Sequence, residues 1–111
     1  MGNASANSRR LGSVVTVAVA GEVDLPAGPI VDKAISEAVA AAGVTTVQVD
    51  LSDVQFLDSS GIGMLLKGRR SADAHRVEFQ VIGAHGITER ILRLTGVWTH
   101  LTGDTSDPAA P

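Results

Sequence analysis

The chain has 111 residues, the length of one ordinary domain, and it contains no cysteine. The missing cysteines exclude disulfide bonds, thiolate catalysis and cysteine-based metal sites, and they fit a reducing compartment. Nine Lys and Arg residues stand against twelve Asp and Glu residues, and aromatic residues make up 3% of the chain. These features argue against a nucleic-acid partner, because they supply neither a basic field nor stacking platforms.

The first half of the chain predicts a strand, a helix and a second strand after a polar start. Residues 1–10 are small and polar, and we expect them to form a flexible segment. A β-branched run predicts a strand over 13–20. Apolar residues then recur at the 3.6-residue spacing of an amphipathic helix over 27–42, with Pro26 at its start. A strand with alternating apolar residues is expected over 44–51.

The second half predicts two further helices and further strands. A short loop after residue 51 leads to a helix over 62–75, and a third strand is expected over 77–82. A short helix over 87–94 comes next, and residues 97–101 predict an edge strand. This alternation of strands and helices indicates an α/β fold, in which helices pack against one sheet.

The domain is predicted to cover residues 11–102, and the tail over 103–111 has the composition of a disordered end. No apolar run is long enough to span a membrane. The run Ser8-Arg9-Arg10-Leu11 resembles part of a twin-arginine signal. Cleavage after Ala20 would remove a strand that the fold needs, so we interpret the run as a basic lead-in to the first strand.

The most informative segment is Asp58-Ser59-Ser60-Gly61, which stands between an apolar strand and an apolar helix. It places two hydroxyls and a carboxylate at a helix N-terminus, where free backbone N–H groups and the helix dipole favour an anion. The simpler interpretation is a helix N-cap, since Asp and Ser commonly occupy that position. The alternative is that a serine accepts a phosphoryl group.

Several features of this segment exceed what a cap requires. Three capping-competent residues stand in a row where one would suffice, and Gly61 and Gly63 keep side chains away from the hydroxyls. Gly63 costs about 1 kcal/mol of helix propensity. We expect Phe56 and Leu57 to anchor the segment from below, so that it presents a rigid, exposed hydroxyl.

Enzymatic and metal-binding interpretations fit the sequence less well. A serine hydrolase needs G-x-S-x-G, but Leu57 and Asp58 stand where the first glycine would be. Gly63 and Gly68 have P-loop spacing, but Arg69-Arg70 replaces the required Lys and Ser or Thr. The three histidines are scattered without metal-ligand spacing, so we predict no metal and no cofactor. These mismatches argue against a serine hydrolase, a P-loop and a metal site.

The run F-L-D-S-S-G-I-G over 56–63, with Asp50-Leu51-Ser52 before it, resembles the signature of STAS domains and, more narrowly, of bacterial anti-sigma factor antagonists. Gly21-Glu22-Val23-Asp24 and Leu94-Thr95-Gly96-Val97 are similar to two further motifs of that family. The resemblance implies a single STAS-like domain with a four- or five-stranded mixed sheet and helices packed against it. The polar start departs from the family, whose first strand we expect to be short or absent here, and the tail supplies no final helix.

The resemblance also implies a partner-switching role. In that family, the unphosphorylated antagonist binds an anti-sigma factor that is also a serine kinase, which frees the sigma factor for transcription. The kinase phosphorylates the first serine of D-S-S-G, which is Ser59 here, and a metal-dependent Ser/Thr phosphatase resets the switch in the cytoplasm. Ser60 corresponds to the second serine, not to the acceptor. The implied partner-binding residues are Asp24, Asp58, Ser59, Ser60, Gly61, Ile62 and Gly63.

Two other functions stay open on the sequence. A STAS domain can serve as a structural subunit of a lipid-transport or membrane-transporter complex, in which the serine need not be phosphorylated. The intact D-S-S-G motif favours the antagonist. A hydrolase would require turnover that Ser59→Ala abolishes, and we expect no turnover in a generic ester assay.

Overall fold

Four strands and four helices make up the described part of the chain. The computed structural model describes residues 4–105, and residues 106–111 of the predicted disordered tail lie outside that range. A 3-10 turn at Leu25–Ala27 precedes the first helix. The strands are β1 (Ser5–Leu11), β2 (Val14–Val23), β3 (Thr46–Leu57) and β4 (Glu78–Ile82), and the helices are α1 (Gly28–Ala40), α2 (Ser59–Ala74), α3 (Gly86–Leu94) and α4 (Trp98–Thr102).

The strands form one mixed sheet in the order β1-β2-β3-β4. β1 is antiparallel to β2, whereas β2, β3 and β4 run parallel and are joined by the helical crossovers α1 and α2. These two helices pack against each other and against the sheet, and α3 and α4 lie against β3 and β4. The predicted α/β fold with a mixed sheet is therefore confirmed, with four strands.

Apolar side chains from three neighbouring strands form the core between the sheet and the helices α1 and α2. Val17, Val49 and Val81 are in register across β2, β3 and β4, and each has at most 1% of its surface exposed. Burial of a side chain of this size stabilises the fold by about 1.5–3 kcal/mol. Gly68 of α2 allows close packing here, because a Cβ at that position would lie 2.9 Å from Ile35 Cγ2.

The start of the chain departs from the prediction, because residues 5–10 lie in β1 rather than in a flexible segment. Each residue of Ser5–Leu11 pairs with β2. Gly12, at a φ of +62°, is the first residue of the two-residue turn that closes the hairpin, and such turns favour glycine there. The expectation of a short or absent first strand is wrong. An edge strand that faces solvent carries polar residues and shows no β-rich pattern.

β3 is longer than predicted and contains two bulges. The prediction ended this strand at residue 51 and placed a loop after it, but the strand continues to Leu57. Its register against β2 shifts twice within this extension. Each shift inserts one additional residue of β3, and so Leu51, Val54 and Leu57 are buried at every third position rather than at every second. The bulges therefore hide the end of the strand from a search for alternating residues.

The predicted edge strand over 97–101 is also wrong, because this part of the chain forms α4. α4 packs beside β4, an edge strand of the sheet. Leu101 is fully buried, and Gln80 of β4 donates a hydrogen bond from Nε2 to the Thr102 carbonyl oxygen at 3.3 Å. A helix here protects an edge that a further strand would have extended.

Truncation of Leu101 tests whether α4 belongs to the folded unit. We expect Leu101→Ala to lower the free energy of unfolding by at least about 2 kcal/mol, because the lost side chain leaves a cavity. The matched control is Leu94→Ala, since Leu94 is 76% exposed, and it should change that free energy by less than about 0.5 kcal/mol. Urea denaturation followed by circular dichroism measures both values. Equal values for the two variants would contradict the packing of α4.

Candidate functional site

The carboxyl ends of β2 and β3 bring two aspartates to the same end of the sheet. The two strands run parallel and finish in register at Val23 and Leu57, so Asp24 and Asp58 follow neighbouring strand ends. The Asp58 amide also donates a hydrogen bond to the Val23 carbonyl oxygen at 3.4 Å. Binding sites of open α/β sheets commonly lie at this edge.

Asp58 is the N-cap of α2. Its Oδ1 accepts a hydrogen bond from the Gly61 amide at 3.1 Å, and its carbonyl oxygen accepts one from the Ile62 amide at 3.0 Å. α2 therefore begins at Ser59 rather than at residue 62, and the predicted loop is the first turn of the helix. The capping interpretation holds for Asp58, which leaves both serines outside that role.

Ser59 is the first residue of α2 and is exposed, whereas Ser60 is half-buried. Within residues 4–105, neither serine hydroxyl has a hydrogen-bond partner. The Ser59 hydroxyl is thus exposed for contact with another protein, and no residue of the described range 4–105 holds it. The helix dipole favours negative charge at this position, so a phosphate on Ser59 is compatible with α2.

The two glycines of this turn have different surroundings. Gly61 is buried against the strand ends, where a Cβ would collide with Leu57 Cδ1 and lie 2.7 Å from the Val23 carbonyl oxygen. Gly63 is exposed, and a Cβ there would meet nothing within 4 Å. Packing inside the protein therefore requires glycine at Gly61, whereas nothing among residues 4–105 requires it at Gly63.

One of the two residues expected to anchor the turn does so. Leu57 is 1% exposed and lies in the core, but Phe56 is 44% exposed. Adjacent residues of a strand point to opposite faces of the sheet, so Leu57 enters the core and Phe56 points away from it. Leu25 is also exposed, by 73%, and it stands in a turn between Asp24 and Pro26 where an apolar side chain has no core to enter. An apolar residue at such a turn position is the signal by which the sequence could have indicated that Leu25 is exposed.

Asp24 contributes a carboxylate with one unused oxygen. Its Oδ1 is shielded from solvent and accepts no hydrogen bond from residues 4–105. Asp24 precedes the 3-10 turn, but its side chain does not cap it, and only its carbonyl oxygen accepts a hydrogen bond, from the Ala27 amide at 3.1 Å. A shielded oxygen without a donor is costly, so a donor from another molecule would stabilise it.

This end of the sheet is negatively charged. Residues 11–32 and 43–66 contain no Lys, Arg or His, although they include β2, β3 and the start of α2. A basic surface would be attracted to this end, and a phosphate on Ser59 finds no cation on either strand. Four carboxylates lie in the last five residues of the two strands or directly after them: Glu22, Asp24, Asp53 and Asp58.

Two of the three histidines are engaged with backbone oxygens rather than with the serines. His75 Nδ1 lies 2.8 Å from the Ser71 carbonyl oxygen, and His85 Nε2 lies 2.7 Å from the Ser52 carbonyl oxygen. In the part of the chain that the structure describes, no cluster of three His, Cys, Asp or Glu residues could hold a metal ion. No helix among the same residues has the length and apolarity needed to cross a membrane.

A family model described as Mlab, STAS domain matches residues 6–103. The chain belongs to the STAS domain family. Among the relatives of this STAS domain is the anti-sigma-F factor antagonist RsfB of Mycobacterium tuberculosis, which is 32% identical over 84 residues. That alignment covers 76% of this chain and 67% of RsfB. The resemblance that the F-L-D-S-S-G-I-G run indicated is therefore confirmed.

Solved structures of other proteins share this fold. The crystal structure of an anti-sigma factor antagonist from Mycobacterium paratuberculosis matches with a TM-score of 0.80 at 27% identity, over 89% of this chain and 83% of that one. The phosphorylated form of the Bacillus cell fate determinant SpoIIAA matches with a TM-score of 0.68 at 21% identity, over 93% of each chain. This second likeness shows the fold alone. Homologues of this STAS domain are thus anti-sigma factor antagonists.

Proposed function

We propose that this STAS domain is an anti-sigma factor antagonist controlled by phosphorylation of Ser59. The unphosphorylated form binds an anti-sigma factor that is also a serine kinase, which frees the sigma factor, and phosphorylation releases the antagonist. The observation that carries the proposal is the exposed Ser59 hydroxyl, which is not used for capping because Asp58 already caps α2. The names of the homologues support the general role.

The proposed docking face consists of the first turn of α2 and the end of β2. Asp24 offers a shielded carboxylate oxygen to a donor of the partner. Gly63 lies one turn after Ser59 and leaves the helix backbone bare, so the partner can approach α2 closely there. The residues of the docking face are Asp24, Asp58, Ser59, Ser60, Gly61, Ile62 and Gly63.

Phosphorylation acts on this face through charge rather than through a change of fold. A phosphoserine carries nearly two negative charges, and β2 and β3 offer no cation to neutralise them. In the complex, the dianion would lie beside Asp58 in a surface that had fitted a small hydroxyl. SpoIIAA, whose phosphorylated form has a similar fold, supports the compatibility of the fold with the modification.

The remaining parts of the cycle follow from this assignment. A Ser/Thr phosphatase removes the phosphate and restores the docking face, and the cycle operates in the cytoplasm, where sigma factors act on transcription. The protein itself catalyses no step in this proposal: the kinase activity belongs to the partner.

Phosphate mapping tests the proposal. The full chain is incubated with ATP and with each purified anti-sigma factor of the source organism, and the product is mapped by mass spectrometry. The proposal predicts phosphate on Ser59, no phosphate on Ser59→Ala, and unchanged modification at residue 59 of Ser60→Ala. Modification at another residue, or none with any of the anti-sigma factors, would contradict it.

The negative charge of the docking face predicts salt-sensitive association. Raising the ionic strength from about 0.01 M to about 1 M shortens the Debye length from about 30 Å to about 3 Å. We expect the association rate constant with the anti-sigma factor to fall at least about tenfold, because attraction to a basic partner surface is screened. Stopped-flow measurements over this range provide the test, and a rate independent of salt would speak against charge complementarity.

The alternative role is that of a structural subunit in a lipid-transport or membrane-transporter complex. Co-purification with transporter subunits from the source organism would support it. Such a complex should also tolerate Ser59→Asp, since it does not need a free hydroxyl. The exposed and unbonded Ser59 favours the antagonist.

A further inference from the structure

β3 has an unpaired edge next to the docking face. Its last residue paired with β4 is Asp50, opposite Ile82, whereas its pairing with β2 continues to Leu57. Over residues 51–57, β3 therefore has a neighbouring strand on one side only, within the described part of the chain. Ser52 is already engaged within the chain, because its amide donates a hydrogen bond to Asp50 Oδ1 at 2.9 Å and its carbonyl oxygen lies 2.7 Å from His85 Nε2. Residues 53–57 are therefore the part of this edge whose backbone N–H and C=O groups can pair with another chain.

An open groove runs along this edge. Residues 52–55 of β3 form one wall, and residues 85–87 at the start of α3 form the other. His85 ties the walls together, because its Nε2 lies 2.7 Å from the Ser52 carbonyl oxygen. From this groove β3 leads directly to Asp58 and Ser59. The groove is therefore continuous along the strand with the docking face.

The side chains around the groove define what fits it. Ile87 of α3 lines the groove and is 51% exposed, and Phe56, which follows the groove along β3, is 44% exposed. The wall and the end of the groove therefore offer apolar surface. Asp53 is exposed and lines the groove, and among the residues that line it His85, already beside the Ser52 carbonyl oxygen, is the one side chain that can carry a positive charge. An extended segment with apolar side chains and a basic residue complements both the apolar surface and the charge.

We propose that an extended segment of the anti-sigma partner, apolar with at least one basic residue, adds to the free edge of β3 in this groove. Strand addition gives affinity through main-chain hydrogen bonds, and alternate side chains of the added strand give specificity. This inference rests on the proposed function, since the partner is the one that docks at Ser59. In this proposal the groove contributes affinity for the partner at a surface away from the phosphate, and phosphorylation of Ser59 controls whether the partner stays bound.

Hydrogen–deuterium exchange of the full chain, alone and bound to the purified anti-sigma factor, tests strand addition. We expect the amides of residues 53–57 to exchange at least about tenfold more slowly in the complex, together with amides of residues 59–63. Protection at 59–63 with unchanged exchange at 53–57 would overturn strand addition and leave the proposed function standing. Absence of any binding would overturn both.

A matched pair of variants gives a second test by calorimetry. Ile87→Lys places a cation on the wall of the groove, and it should weaken binding at least about tenfold. Leu94→Lys makes the same change at an exposed residue of the same helix outside the groove, and its affinity should equal that of the unmodified chain. Circular dichroism checks that both variants fold. Equal affinities of the two variants would overturn the proposal. The loss of affinity caused by Ser59→Asp is a separate measurement, and it tests the proposed function.

Discussion

Ser59→Asp is expected to weaken binding to the anti-sigma factor by a few hundredfold, whereas Ser59→Ala is expected to bind as tightly as the unmodified chain. Asp adds a negative charge at the exposed first position of α2, next to Asp58, and the preceding strands β2 and β3 carry no cation. A loss of about 3–4 kcal/mol of binding free energy corresponds to this factor, and like charges brought together in an interface reach that size. Isothermal titration calorimetry measures both affinities.

Ser36→Asp is the matched control for this prediction. Ser36 is an exposed serine in α1, so the same chemical change is made outside the docking face. Its affinity should stay within about threefold of the unmodified chain, since exposed charges at a distance are screened. Equal binding by Ser59→Ala and Ser59→Asp would remove the charge mechanism.

Gly61→Ala is expected to lower the free energy of unfolding by about 3 kcal/mol or more, at or above the upper end of the usual range for overpacked substitutions. A Cβ at this position would lie 2.7 Å from the Val23 carbonyl oxygen and 3.0 Å from Val23 Cγ1, and it would collide with Leu57 Cδ1. The carbonyl oxygen belongs to the backbone of β2 and cannot rotate away. Thermal unfolding measures the effect, and a Tm fall of at least roughly 10 °C is expected.

Gly63→Ala should show the opposite behaviour in the same helix. No atom lies within 4 Å of a Cβ at Gly63, so the substitution should stabilise α2 by up to about 1 kcal/mol through helix propensity. It should also weaken binding to the anti-sigma factor, because the added methyl group keeps the partner away from the helix backbone. Destabilisation by Gly63→Ala, or an affinity that it leaves unchanged, would contradict the role given to this glycine.

The order of strands and helices could be predicted because the apolar pattern of most elements matches their burial. β2 alternates between buried and half-buried residues, and α1 has apolar residues at helical spacing on its buried face. The end of β3 does not follow such a period, because two bulges place its buried residues three apart. A search for alternating apolar residues does not recognise a strand with that spacing. The prediction therefore ended β3 at residue 51.

The predictions for the two ends of the described chain were wrong, for different physical reasons. β1 is an edge strand that is exposed along most of its length, so its sequence is polar although its backbone is fully paired. α4 is a helix of five residues, which is too short to show a helical period. Its Trp and Thr residues, and Val97 before it, favour a strand by propensity. The burial of Leu101 and the contact with β4 stabilise the helix instead.

The candidate site could be predicted at the level of residues but not of their surroundings. The family resemblance implied Asp24, Asp58 and Ser59, and the structure places the two aspartates after neighbouring strand ends. Docking through these residues stays a prediction. The assignment of the cap to Asp58 alone depends on hydrogen-bond geometry, and the exposure of Phe56 depends on which face of β3 is covered. The groove beside β3 depends on the different lengths of β3 and β4, which no local pattern encodes.

The affinity of the chain phosphorylated at Ser59 tests the central claim most directly. Calorimetric titration of the anti-sigma factor with unmodified protein and with protein carrying phosphate on Ser59 alone compares the two states of the switch. The claim predicts binding at least about a hundredfold weaker for the phosphorylated form, with an unchanged circular dichroism spectrum. Equal affinity of the two forms would contradict it.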